Sequence, residues 1–200
     1  MLQEDPGRRD SVLPVVRCTA HDAFGQRVAD HVAAYLRRHE RPGRLAQGCG
    51  SPTLVVDVAA SPVSVSVLGA DEEEAQSAGA WKLSVLSGPH GLLVGPLRDA
   101  GRPCLSCLLQ RSDQHQWGLE PFFTTDGRPS GVSGVSPLAA RAAAALVMRM
   151  ALGTGRDDPP AGLAWHMEFP PHGARALRVL PMPYCRRCTH VRDISARAVS

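Results

Sequence analysis

Thr53-Leu54-Val55-Val56-Asp57-Val58-Ala59 is the stretch that decides the fold, because nearly every position is apolar and most are β-branched. Strands of this composition are typically buried on both faces, as in the parallel sheets of α/β proteins. Asp57 interrupts the apolar run, and a buried carboxylate needs a partner that compensates its charge. The stretch therefore predicts a central parallel strand with a paired Asp57, and a role for Asp57 at the strand end is a secondary hypothesis.

Helices and strands are predicted on both sides of this run. Before it, residues 12–16 form an edge-strand candidate whose pairing Pro14 limits, and Asp22 can cap an amphipathic helix that runs to Arg38. After it, hydrophobic periodicity and turn residues predict the remaining elements. These are a strand at 63–67, a helix that opens at 71–74 and ends near Gly79, a hairpin of 82–86 with 92–94, a helix over 105–117, a long mobile loop over 118–134, a largely buried helix from the N-cap Ser136 through Pro137 to Gly153, and strands at 163–169 and 175–180.

Composition and charge exclude several classes of protein. A net charge of +3 and an aromatic content of 4% argue against a nucleic-acid-binding protein. No stretch approaches the roughly 18 consecutive apolar residues of a membrane span, and the polar first ten residues do not resemble a secretory signal. We therefore expect a cytoplasmic protein whose six cysteines are mostly reduced.

Two C-x-x-C motifs carry the strongest chemical signal. Cys104-Leu105-Ser106-Cys107 and Cys185-Arg186-Arg187-Cys188 each let one tight turn present two sulfurs to a single metal ion. Four thiolates form the closed tetrahedron that zinc prefers in structural sites. The 77 residues between the pairs (185 − 107 − 1) are too many for a compact zinc ribbon, so the ion would join two distant segments. Arg102 and the two arginines of the second motif flank this site and offset its negative charge.

Alternatives to zinc remain open for the four cysteines at the level of sequence. An iron–sulfur cluster also accepts four thiolates. A thioredoxin-like site needs one C-x-x-C motif rather than two, and two disulfides would be unusual in a cytosolic chain. Catalytic zinc does not fit, because four thiolates leave no open coordination position.

The rest of the sequence presents no recognisable catalytic or cofactor-binding residues. Cys18 and Cys49 are interpreted as small buried apolar residues, and His90, His172 and His190 as loop residues. Residues 48–52, Gly-Cys-Gly-Ser-Pro, precede a strand, whereas a phosphate-binding loop runs from a strand into a helix. Neither G-x-G-x-x-G nor G-x-x-x-x-G-K-[ST] occurs.

A family resemblance rests on three segments of the chain. They are Val94-Gly95-Pro96-Leu97, then Gly101-Arg102-Pro103-Cys104-Leu105-Ser106-Cys107-Leu108, and Cys185-Arg186-Arg187-Cys188 after an Ala-rich helix and a terminal strand pair. In this order they resemble the ThiF-like proteins, relatives of ubiquitin-activating enzymes, that partner YcaO cyclodehydratases in thiazole- and oxazole-modified peptide biosynthesis. The match runs from about Thr53 to Cys188, and Cys104, Cys107, Cys185 and Cys188 correspond to the family's zinc ligands.

The resemblance implies an α/β fold with an incomplete ThiF-like, nucleotide-binding-type mixed sheet, flanking helices and a four-cysteine zinc site. Full members begin with a winged-helix-like leader-binding domain and the first half of the sheet, and the 52 residues before Thr53 are too few for both. We therefore expect a member truncated at its N-terminus, with a segment at 1–52 that contains one helix and a zinc-containing domain at 53–200. The glycine-rich ATP loop of adenylating relatives has no counterpart.

Three functions follow as hypotheses. The preferred one is a non-catalytic scaffold that docks a YcaO-type cyclodehydratase or related maturase and helps to present the precursor peptide of a ribosomally synthesised natural product. The second is an ATP-dependent adenylating subunit whose nucleotide-binding half comes from another chain. The third is a zinc-stabilised interaction module of another role. Because an incomplete sheet exposes a strand edge, we also expect a homodimer or a complex. Residues 181–184, Pro-Met-Pro-Tyr, either contribute to such a contact or cover the zinc site.

Overall fold

The elements of the fold come from a computed structural model that describes residues 14–39, 53–60, 63–64, 80–88, 90–99, 103–124, 136–154, 160–169, 173–183, 185 and 188. In chain order they are β1 (Val15–Ala20), α1 (Ala23–His39), β2 (Thr53–Ala60), β3 (Val63–Ser64), β4 (Trp81–Gly88), β5 (Gly91–Val94), α2 (Leu105–His115), a 3-10 turn (Glu120–Phe122), β6 (Phe123–Thr124), α3 (Pro137–Thr154), β7 (Leu163–Glu168) and β8 (Gly173–Arg178).

A six-stranded mixed sheet forms the centre of the fold, with strand order β1-β2-β4-β5-β7-β8. The first three strands in this order are parallel, and each later pair is antiparallel. Strand β2 lies between two parallel neighbours, and Leu54, Val56 and Val58 are fully buried. The predicted α/β class, the mixed sheet and the central parallel strand are therefore confirmed. Strands β3 and β6 form a separate parallel pair.

Helices cover both faces of the sheet. Helices α1 and α3 pack on the face formed by alternate residues such as Val56, Val85 and Val94. The start of α2 packs on the other face with Leu86 and Leu93. Successive side chains of a strand point to opposite faces, so β4 and β5 contribute to both clusters. The result is a sheet that is buried on both sides at its centre.

Helix α1 is fixed to β2 by the predicted cap Asp22. One carboxylate oxygen accepts a hydrogen bond from the backbone N–H of Gly25 at 2.8 Å, and the other accepts one from the N–H of Ala60, at the end of β2. Gly25 permits a close approach, because a Cβ at this position would lie 2.6 Å from the carbonyl oxygen of Val58. A single side chain thus caps the helix and joins it to the central strand.

Several predicted boundaries near helix and strand ends were wrong. The first strand begins at Val15 and runs to Ala20 rather than over 12–16, which is consistent with Pro14 having no N–H to donate to a ladder. Helix α3 continues through Gly153 to Thr154, although Ser136 does cap it by accepting a hydrogen bond from Ala139 N–H at 3.2 Å. The hairpin 82–94 and the pairing of the two terminal strands were predicted correctly, although the last strand runs over Gly173–Arg178 rather than 175–180.

The remaining predictions have mixed outcomes. The loop predicted over 118–134 contains the 3-10 turn and β6 up to residue 124, and the rest of it lies outside the described residues. Of the strand predicted at 63–67, the structure describes β3. The helix predicted from 71–74 to Gly79 lies outside the described residues, and the division of the chain at residue 52 stays a prediction.

Candidate metal centre

The four predicted ligands come together at one place on the α2 side of the sheet. Cys104, Cys107, Cys185 and Cys188 are all buried, and their sulfur atoms lie within 4.8 Å of one another. Within the part of the chain that the structure describes, this is the one group of three or more His, Cys, Asp or Glu side chains close enough to share an ion. The long-range pairing of the two C-x-x-C motifs is therefore confirmed.

The sulfur separations match those of a tetrahedral metal site. Cys104 Sγ lies 3.7 Å from Cys107 Sγ and 3.5 Å from Cys185 Sγ, and Cys107 Sγ lies 3.5 Å from Cys188 Sγ. Tetrahedral coordination at a Zn–S distance of about 2.3 Å places the sulfurs about 3.8 Å apart. This spacing fits one four-coordinate ion. A multinuclear iron–sulfur cluster separates its thiolates further, because its own iron and sulfide atoms lie between them.

The first motif is positioned by the start of α2. Cys104 occupies the N-cap position, and its carbonyl oxygen accepts hydrogen bonds from the N–H groups of Cys107 and Leu108 at 3.0 and 3.2 Å. One helical turn therefore turns both sulfurs to the same side. The positive end of the helix dipole favours thiolates at this position.

The second motif is held by the segment that follows β8. Cys188 N–H donates to the carbonyl oxygen of Cys185 at 3.0 Å, and Cys185 N–H donates to that of Met182 at 3.3 Å. Met182 N–H also donates to the sulfur of Cys107 at 3.3 Å. Since the Met182 side chain packs on the surrounding apolar cluster, this residue covers the centre, as one of the two interpretations of 181–184 expected.

The sulfurs influence one another's ionisation. Hydrogen bonds from the thiols of Cys104 and Cys188 and from the Met182 N–H lower the pKa of Cys107 to about 3, against the opposing effect of burial. Hydrogen bonds to Cys104 and Cys107, together with burial, raise the pKa of Cys188. Binding of a divalent cation at this centre would displace the remaining thiol protons.

The surroundings of the centre are apolar and closed. The cysteines are 0–6% exposed, and they pack with residues from α2, the sheet and the segment after β8. Four protein sulfurs fill a tetrahedral coordination sphere, so this arrangement suits a structural ion that ties α2 to the segment after β8. The side chains of Arg102, Arg186 and Arg187, predicted to flank the site, lie outside the described residues.

The buried carboxylate of Asp57 forms an ion pair with Lys82, as a buried charge requires. Lys82 Nζ lies 3.0 Å from Asp57 Oδ2, with the two side chains 4% and 1% exposed. Ser84, which pairs with Asp57 across β2 and β4, is also buried. The backbone of Arg98, which is buried at 1%, exchanges two hydrogen bonds of 2.9 Å with that of Lys82. A role for Asp57 at the strand end stays a hypothesis.

A second polar group, missed at the sequence level, surrounds His166 on β7. Its Nδ1 accepts from Arg175 Nε at 3.2 Å and from Arg175 Nη2 at 3.0 Å, and Arg175 also donates to the carbonyl oxygen of Trp117. Burial, followed by the charge of Arg175, lowers the pKa of His166, and Glu168 opposes this shift. The neutral ring borders a cleft of about 230 Å³ that Phe122 also lines.

The contact between His166 and Arg175 is determined by the register of the terminal hairpin. His166 pairs with Arg175 because Glu168 pairs with Gly173 at the end of the hairpin. The sequence predicted both strands, the second one two residues too late, but it did not fix which residues face each other, since a shift of one residue moves every side chain to the other face.

The other cysteines and histidines singled out in the sequence lie apart from these groups or outside the described residues. Burial raises the pKa of Cys18 to about 11, which keeps its thiol protonated and fits a small apolar residue. His90 lies in the exposed turn between β4 and β5. Cys49, His172 and His190 lie outside the described residues. No helix within the described ranges is long and apolar enough to cross a membrane.

Comparison with known proteins identifies a shared fold. Neither a protein-family model nor a curated protein matches the sequence. The chain is similar to the structure of the heterocyclase TruD, with a TM-score of 0.56 and 18% identity over 89% of this chain and 28% of that one. It is also similar to a heterocyclase in complex with substrate and cofactor, with a TM-score of 0.56 and 14% identity over 89% and 26% of the two chains. The chain thus spans about a quarter of the length of these structures.

Proposed function

We propose that this protein is a non-catalytic partner protein in the biosynthesis of ribosomally synthesised, modified peptides. It docks a YcaO-type cyclodehydratase or a related maturase, and it helps to present the precursor peptide. The partner enzyme performs the ATP-dependent step, and this chain supplies a folded surface that a structural zinc ion stabilises. We place the protein in the cytoplasm, as a homodimer or in a complex with its enzyme.

The observation that carries this proposal is the fold. The two heterocyclase structures align with 89% of this chain at a TM-score of 0.56. A likeness of fold does not by itself assign an activity. We therefore place this chain in the biosynthesis of modified peptides and assign the catalytic step to a partner enzyme. The order of the two C-x-x-C motifs, which contain Cys104 and Cys188, along the chain also supports a role in modified-peptide biosynthesis.

Zinc is the ion that the four-cysteine centre fits best. The sulfur separations of 3.5–3.7 Å suit a single tetrahedral ion. Thiolate ligands disfavour magnesium and calcium, which bind oxygen. An all-sulfur shell with no open position assigns the ion a structural role, and the protein's contribution to the pathway then lies in its surface.

The sheet offers strand edges for docking. Strand β1 is the first in the order of the main sheet and β8 the last. Val15 on β1 is 48% exposed, and most positions of β8 are exposed. Edge strands present unpaired N–H and C=O groups to a partner chain, which supports a complex or a dimer.

The test begins with co-purification. The protein is expressed with the products of its neighbouring genes, captured by a tag, and its metal content is read by mass spectrometry of the same sample. We expect one zinc per chain and capture of a peptide-modifying enzyme. The matched variants are Cys188→Ser, which removes a ligand, and Cys18→Ser, which changes a cysteine outside the centre. Only the first should lose the metal.

The activity of the captured enzyme shows whether this protein is a scaffold or an adenylating subunit. Addition of this protein should accelerate modification of the precursor peptide, and the protein alone should give no pyrophosphate exchange with the peptide. An unchanged rate in its presence would refute the scaffold function. Pyrophosphate exchange that requires this chain and a second one would favour an adenylating subunit instead.

A further inference from the structure

A groove of about 970 Å³ lies between α1 and α3, apart from the cysteine centre. Its α1 wall carries His31, Ala34, Tyr35 and Arg38, which recur at the spacing of one helix face. Most residues of its α3 wall show the same spacing, and Met150 and Gly153 of this helix line the groove as well. The regularly spaced α3 residues are Arg141, Ala144, Ala145, Met148, Arg149 and Leu152. Two neighbouring helices that each present such a stripe form the surface on which a third helix packs.

The apolar part of the groove is suited to close helix packing. Ala34, Ala144 and Ala145 are small, so a helix backbone can approach both walls closely. Ala144 and Met148 belong to the buried core and form the base of the groove, and Tyr35 is 38% exposed, among the few large apolar side chains that the described residues leave open to solvent. An amphipathic helix would therefore find an apolar surface between α1 and α3.

The polar part of the groove is basic. Arg38, Arg141 and Arg149 line it together with His31, and its lining contains no Asp or Glu. Among the described residues, no carboxylate forms an ion pair with any of the three arginines. Arg149 lies over the ring of Trp165, 5.4 Å from its centre, which restricts its guanidinium group. Such cations recognise carboxylates in bidentate geometry.

We propose that this groove binds an acidic, amphipathic helical segment of the precursor peptide. The inference rests on the proposed function and names the surface that presents the peptide. Carboxylates on the segment pair with Arg38, Arg141 and Arg149, while its apolar face packs on Ala34, Tyr35 and Ala145. A second copy of this chain is a poor occupant, because the described helices carry few acids: Asp30 on α1, Asp113 on α2 and none on α3.

The test uses the full chain with zinc and two synthetic peptides of about 20 residues, long enough for several helical turns. Both peptides have the same Leu and Ala face, and the polar face carries Glu in one and Gln in the other. Fluorescence anisotropy measures their affinity at low and at physiological salt. We expect the Glu peptide to bind about tenfold more tightly than the Gln peptide, with a preference that decreases as salt screens the charges.

Charge reversal locates the binding site. Arg141→Glu should weaken binding of the Glu peptide about tenfold. The matched control is Arg37→Glu, an exposed arginine next to Arg38 that does not line the groove, and its affinity should change less than about twofold. Unfolding temperatures of both variants verify that the fold is retained. Equal effects of the two variants would show that only net charge matters, and would overturn the inference.

The last comparison separates this inference from the proposed function. The peptide encoded beside this gene should lose affinity for Arg141→Glu while capture of the modifying enzyme persists. Loss of enzyme capture with unchanged peptide binding would assign the groove to the enzyme, and a change from dimer to monomer would assign it to a second copy. Either result overturns the inference. Failure of enzyme capture by the unmodified chain would instead refute the proposed function.

Discussion

The buried pair of Asp57 and Lys82 makes a quantitative prediction about stability. Replacing Lys82 by Met keeps the length of the side chain but leaves Asp57, which is 1% exposed, without a compensating charge. Loss of one partner of a buried ion pair costs about 3–5 kcal/mol. For a chain of this size, each kcal/mol lowers the melting temperature by about 2–4 °C, so we expect a decrease of roughly 6–20 °C.

The size of this effect follows from the site. Neither side chain has a further hydrogen-bond partner in the described part of the chain, and Ser84, the neighbouring polar residue, is buried as well. Water is therefore poorly placed to solvate the remaining carboxylate. Removing both charges in Asp57→Val/Lys82→Met should restore stability to within about 1 kcal/mol of the original, because a well-packed apolar pair replaces a buried ion pair with little net cost.

Urea and thermal unfolding followed by circular dichroism measure the cycle of the two single variants and the double variant, at a fixed zinc concentration. Arg17→Met, which removes a charge from an exposed position on β1, is the control and should change the free energy of unfolding by less than about 0.5 kcal/mol. A loss below about 1 kcal/mol for Lys82→Met, or a double variant as unstable as the sum of the singles, would refute the reasoning.

Three further changes test local features of the fold, each by urea unfolding. Gly162→Ala places a Cβ against the carbonyl oxygen of Val179 at a φ of +77° and should cost about 2 kcal/mol or more, whereas Gly118→Ala, at a φ of +68° with no atom within 4 Å, should cost about 1 kcal/mol; equal losses would exclude the clash. The lowered pKa of His166 means that its contribution is present above the unfolded pKa of about 6.5 and is lost as the pH falls through the folded value. His166→Gln should therefore lose less stability than the original protein between about pH 7 and 5, and parallel pH curves would contradict this. Ser136→Ala removes the cap of α3 and should cost about 1 kcal/mol, and no change would mean that solvent caps the helix equally well.

The sequence predicted the features that depend on local pattern. The β-branched run in β2, the cap Asp22 and the start of α3 at Pro137 are each determined by a few neighbouring residues. The pairing of two C-x-x-C motifs was predictable over a long distance for a different reason. A single ion requires four sulfurs, so its coordination chemistry specifies the contact without any knowledge of the chain between them.

The features that the sequence did not predict depend on the packing of distant elements. Lys82 is identifiable as the partner of Asp57 only once β2 and β4 are known to be parallel neighbours in a given register. The contact of Arg175 with His166 likewise follows from the register of the terminal hairpin. The groove requires the relative position of α1 and α3, and the amphipathic pattern of either helix states which face is apolar but not which helix it meets.

The cysteine centre and the groove lie on opposite faces of the same sheet, and this arrangement separates stability from recognition. Three of the four buried residues of α2, Leu105, Cys107 and Leu108, belong to the apolar cluster that contains the four cysteines. An ion held by the four cysteines would anchor this helix to the segment after β8 and would close a loop of 77 residues (185 − 107 − 1) between the two motifs. Closing a loop of this length favours the folded state by restricting the unfolded chain. Helices α1 and α3, by contrast, are held by the apolar cluster on the other face, so the surface proposed to bind the peptide is built without direct contribution from the metal ligands.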